Sequence, residues 1–154
     1  MSITATYRRQ HEEIVDLVGE IVAYFAPGRL PEAAGAARAA LDRLAKKLTV
    51  HLALEDGALY PRLKAHHDTA LRQAAETFSN EMSGIKTAFR SYNYKWGEAE
   101  IGDDAERFIA ESGRLFAVLG KRIERENAVL YALYDQCDAA TAAPAAVSPT
   151  SSPS

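Results

Sequence analysis

Histidine and glutamate occupy positions along this chain where a buried helical face calls for apolar residues. His11 interrupts the stripe Tyr7, His11, Ile14, Val18, Ile21, Phe25. His51 and Glu55 stand together in Leu41, Leu44, Leu48, His51, Glu55, Leu59, and Arg122 and Glu126 in Phe108, Ser112, Leu115, Leu119, Arg122, Glu126, Val129, Leu133. Steps of three and four keep each set on one side of a helix. Burying such groups singly costs several kcal/mol unless they are paired or bound to metal. His11, His51, Glu55 and Glu126 are therefore candidate metal ligands. Two imidazoles and two carboxylates suit iron, manganese or zinc. Two histidines and a carboxylate on one face of an ion, with open positions beyond, is how non-haem iron meets small molecules such as oxygen. Glu55 and Glu126, arriving from different helices, bridge two ions or complete one. The alternative for Glu126 is an ion pair with Arg122, one turn earlier on the same face, which needs no metal.

The elements that must position these residues are four long helices. The first spans residues 3–26 and stops at Pro27-Gly28. The second opens with Pro31 in its first turn and reaches residue 65, with Pro61 kinking or ending its last turn. Asp68 caps a third helix that runs to Trp96, and its stripe of Leu71, Ala75, Phe78, Met82, Ile85, Phe89, Tyr92 and Trp96 offers packing and no ligand. Asp103, with Glu106 as capping-box partner, opens a fourth that reaches Cys137. No alternating stretch bounded by hairpin turns appears, so the fold class is all-α. Short connections favour an antiparallel up-down-up-down four-helix bundle over residues 1–138. Residues 139–154 are Ala-, Ser- and Pro-rich, lack the apolar surface needed for order, and read as a disordered tail.

Composition narrows the function. With 18 basic and 21 acidic residues mixed along the chain, no basic stripe is left to track nucleic acid. The longest apolar run falls far short of a membrane span, and the first residues lack a signal core, so the expected setting is cytoplasmic. The single cysteine, Cys137, excludes a Cys-rich metal site. No Ser-His-Asp or Cys-His set and no phosphate loop after a strand is present, which argues against a hydrolase or nucleotide enzyme.

The strings RRQHEEI, HLALEDGALYP and RIERENAVLY resemble the hemerythrin-like HHE cation-binding domains over nearly the whole chain before the tail. The strongest piece is His51-x-x-x-Glu55-x-x-x-Leu59-Tyr60-Pro61, echoed by Arg122-x-x-x-Glu126-x-x-x-Leu130-Tyr131. The resemblance implies a bundle-core diiron centre that binds or senses oxygen, nitric oxide or redox state. His11 and His51 would ligate one iron, with Glu55 and Glu126 as bridges. The chain departs from the pattern at the second ion: Met82 and Arg122 stand where two further histidines are expected. Arginine, permanently cationic, is not a ligand. One ion is thus the expectation, with the second in doubt. The rival reading is a metal-free helical regulatory or protein-interaction module with a buried network of Arg122, Glu55 and Glu126.

Overall fold

The computed structural model describes residues 2–142, which are helical almost throughout and include no strand. The first rod is α1 (Ala5–Val22), followed by a 3₁₀ turn at Ala23–Phe25. It ends ahead of Gly28, whose φ of 76° lies in the left-handed region glycine enters without steric cost. The second rod starts with α2 (Ala34–Leu54). Pro31 falls just outside it, in a turn where its carbonyl accepts from Ala34 N–H, so the expected first-turn role is corrected. The same rod continues through a π-helical turn (Glu55–Leu59) into α3 (Tyr60–Lys64), with Pro61 in its first turn. The third rod is α4 (Thr69–Lys95), and Asp68 caps it by accepting from Leu71 N–H at 2.9 Å.

A short helix not expected from the sequence, α5 (Glu98–Asp103), comes next, anchored by the buried Ile101. It absorbs Asp103, so the cap of the fourth rod moves to Asp104, whose side chain accepts from Arg107 N–H at 3.3 Å. That rod comprises α6 (Ala105–Arg125), a second π-helical turn (Glu126–Tyr131) and α7 (Ala132–Ala142). Helix therefore extends past Cys137 into the segment expected as tail. The remainder of that segment lies outside the described residues. No helix among the described residues is long and apolar enough to cross a membrane.

The apolar core falls into two clusters. One gathers Ile14, Leu41, Leu44, Leu48, Phe89, Phe116 and Leu119; the other gathers Leu59, Leu63, Leu71, Phe78, Leu130 and Tyr134. The order along each rod places His11, the His51–Glu55 pair and the Arg122–Glu126 pair at the junction between them. The polar residues thus form a layer across the bundle, with apolar packing on either side. Each cluster supplies hydrophobic driving force of about 25 cal/mol per Å² buried, which offsets the cost of burying that layer.

Beyond the layer the seam departs from simple three-and-four stepping. Val129, expected inward, is 50% exposed, whereas Leu130 and Tyr131 are fully buried. The π-helical turn explains the correction. It inserts one extra residue per turn, with bonds reaching five residues back as in Tyr60 N–H to Glu55 C=O, and so advances the inward face by one position.

Candidate metal centre

Both π-helical turns begin at the carboxylates in question, Glu55 and Glu126. Such turns cluster at functional sites because they re-aim a side chain at a cost in backbone bonding that ordinary packing does not select. Here the four residues expected from the sequence converge. His11, His51, Glu55 and Glu126 are all buried, and each presents a ligating atom within 4.8 Å of the other three. Among the described residues no other group of this kind occurs. His66 and His67 stack on one another at a helix end and Cys137 lies on α7, so none of them joins the cluster.

The histidines are held from behind. His11 Nδ1 lies 2.8 Å from Asn127 Oδ1, and His51 Nδ1 lies 2.7 Å from Gln10 Oε1. Amide oxygens only accept, so each Nδ1 carries the proton and each Nε2 carries a lone pair. The two Nε2 atoms face one another at 3.1 Å, and His51 Nε2 lies a further 3.1 Å from Glu55 Oε1. Burial pushes His51 down to about 4 and lowers His11 as well, so both rings are neutral at neutral pH.

The carboxylates are crowded in the same sense. The Tyr131 hydroxyl sits between them, 2.6 Å from Glu55 Oε1 and 2.9 Å from Glu126 Oε2, and 3.4 Å from His11 Nε2. Its single proton serves one acceptor at a time. Glu55 Oε2 is buried with no hydrogen-bond partner. Glu126 is pushed up to about 8, by burial first and then by Glu55; the Arg122 guanidinium opposes this without prevailing. The cluster therefore holds more lone pairs than protons.

That surplus is the fit test for a cation, and the residues pass it. Metal–ligand bonds of about 2.1 Å meeting at right angles place neighbouring ligand atoms about 3 Å apart, the spacing of the two close lone-pair contacts. The outward nitrogens are already hydrogen-bonded, as metal-ligating histidines require.

Beyond Glu126 the character changes. Arg122, its side chain 2% exposed, donates from Nε to Glu126 Oε1 at 3.0 Å and from Nη2 to the Tyr60 hydroxyl at 2.7 Å. Its guanidinium carbon lies 4.7 Å from the centre of the Phe78 ring. Glu81, the carboxylate nearest on α4, is exposed and bonds Arg125 at 2.8 Å, with Arg122 Nη1 3.6 Å away. Met82 is buried in the seam.

Two contributors, Gln10 and Asn127, were not singled out from the sequence, whereas the Tyr60 and Tyr131 hydroxyls were expected near the site. Tyr131 lies five residues after Glu126, a spacing that points inward only through a π-helical turn. Gln10 and Asn127 adjoin His11 and Glu126 in sequence but sit off the seam.

No curated protein and no solved structure matches the chain. The family model described as the hemerythrin HHE cation-binding domain matches residues 2–134. With two buried histidines and two buried carboxylates brought together inside a helical bundle, and that match over most of its length, the chain belongs to the hemerythrin HHE cation-binding domain family.

Proposed function

We propose that this protein binds non-haem iron through His11, His51, Glu55 and Glu126, and that it meets a small diatomic ligand, oxygen or nitric oxide, as a cytoplasmic carrier or sensor. The observation that carries this reading is the run of three lone-pair atoms, His11 Nε2, His51 Nε2 and Glu55 Oε1, spaced 3.1 Å apart in a buried layer. Without a cation between them these contacts are repulsive. Bound iron supplies open coordination positions and redox chemistry to such a ligand. The chain's own part is positional. Gln10 and Asn127 fix the imidazole orientation, and the Tyr131 hydroxyl offers a hydrogen bond inside the cluster. A surface groove lined by Arg8, His11, Val15, Ile123 and Asn127 gives a diatomic molecule a path to the His11 edge.

The test is elemental analysis of protein expressed in iron-supplemented medium, beside its visible spectrum. One or two irons per chain, lost in His51→Ala, are expected; a colourless, metal-free and fully stable wild type would sink the reading. One observation favours a second reading. Arg122 already pairs with Glu126 and Tyr60, so a metal-free regulatory or interaction module stabilised by that network is the alternative, and the same measurement separates the two.

A further inference from the structure

Of the two carboxylates, Glu126 is held by the Arg122 guanidinium, Nε to Oε1 at 3.0 Å, and Glu55 is not. No lysine or arginine among the described residues pairs with Glu55, on the histidine side of the layer, so the metal requirement is lopsided. On the histidine side lie two neutral imidazoles, the orphaned Glu55 Oε2 and a shared phenol. Past Glu126 lie a guanidinium, an aromatic face, the Tyr60 hydroxyl and a thioether-bearing seam.

We infer that the guanidinium of Arg122 is the resident second cation of this centre, so that the chain holds one metal ion, with Glu126 spanning ion and arginine. Resting on the metal-binding reading above, this sets the number of ions and gives Arg122 a positioning role. The geometry supports it atom by atom. Glu126 divides its oxygens, Oε1 to Arg122 Nε at 3.0 Å and Oε2 toward the Tyr131 hydroxyl at 2.9 Å. A carboxylate bridging two metals divides its oxygens in the same way. Arg122 is as buried as the ligands themselves, and Tyr60 and Phe78 hold it in place. A guanidinium stays protonated at all accessible pH, so this cation cannot be stripped by a chelator or lost on oxidation. A second metal would have to displace a charge that is hydrogen-bonded on two sides. It would find no imidazole there, because the buried seam residue one turn after Phe78 is Met82 and the one a turn before Glu126 is Arg122.

The experiment is a titration of the metal-free full chain with Fe(II) under anaerobic conditions, and separately with Zn(II), reading bound ions per chain by elemental analysis after desalting. Wild type is expected to saturate at one ion with either metal, and Arg122→Lys, which keeps the charge, at one as well. The Met82→His, Arg122→His double variant is expected to rise to two. Wild type saturating at two ions overturns this inference and leaves the metal-binding reading standing, whereas wild type binding none overturns both. A folded double variant that stays at one also counts against the inference. If that variant fails to fold by circular dichroism, the counts for wild type and Arg122→Lys decide.

Discussion

The second and fourth rods carry the same pattern, and they put it to opposite uses. In the second, His51-x-x-x-Glu55 leads through a π-helical turn to Tyr60; in the fourth, Arg122-x-x-x-Glu126 leads through its own π-helical turn to Tyr131. The tyrosines cross over. Tyr60 accepts from Arg122, and Tyr131 reaches Glu55 and His11. The Arg122 end is built of donors against acceptors, Nε on Glu126 and Nη2 on Tyr60, with only Nη1 left buried without a hydrogen-bond partner, 3.6 Å from Glu81. The His51 end is not, because lone pairs face lone pairs and one carboxylate oxygen has no partner. The difference teaches where this bundle keeps its stability and where it keeps its capacity to bind. Binding sites held ready for an ion are locally unfavourable, and the surrounding structure offsets the strain.

The comparison breaks most visibly under paired substitutions in the metal-free chain. Arg122→Met should cost about 1–3 kcal/mol, because it leaves the buried Glu126 and Tyr60 without the donors that Arg122 supplies. His51→Leu should cost under about 1 kcal/mol, since it removes a lone-pair repulsion and strands no charge. Urea unfolding followed by circular dichroism measures both. Equal costs would mean that the two ends are built alike.

A smaller effect sharpens the binding side. Asn127→Ala should weaken metal affinity by about 10- to 100-fold through loss of the bond that orients His11, with little change in melting temperature. Titration calorimetry with Zn(II) reads it. The smallest effect lies away from the layer, where Glu111 accepts from Lys95 at 2.6 Å, Trp96 at 2.8 Å and Arg107 at 3.3 Å. The Lys95 bond, followed by those from Trp96 and Arg107, holds its carboxyl below the ordinary 4.5 despite the opposing pull of burial. A depressed carboxylate favours the fold above its unfolded value, and that contribution disappears as pH falls through the folded one. Glu111→Gln should therefore flatten the acid limb of the stability curve below about pH 4.5 and leave metal binding untouched, as thermal melts at stepped pH would show.

Much of this was legible in the sequence because buried polar residues are conspicuous against an apolar seam. His11, His51, Glu55 and Glu126 fell on inward positions of three helices, and the structure brings them together. Asp68 was legible as a cap because its side chain needs only its own first turn. The short helix α5 was not, since one buried isoleucine in a charged run gives no periodicity to read. Tyr131 was legible only as a tyrosine whose hydroxyl could reach the site. Its role depends on a backbone bond pattern that leaves no mark in the 3.6-residue period. Gln10 and Asn127 act one layer behind the ligands, where sequence spacing carries no signal.

The paired π-helical turns have a consequence for how such a chain tolerates change. An added residue in a helix swings everything after it by about 100° and would ordinarily expose the downstream seam. Here both polar rods take the addition at the same level, so α3 and α7 are rephased together and still find each other, Tyr60 with Leu63 and Tyr131 with Tyr134 in one cluster. The far end of the bundle behaves as a cap turned by one notch relative to the barrel below it, and the joint between them is the buried polar layer. Inserting or deleting a residue in one rod alone would cross-thread that joint, while matched changes in both would keep the thread.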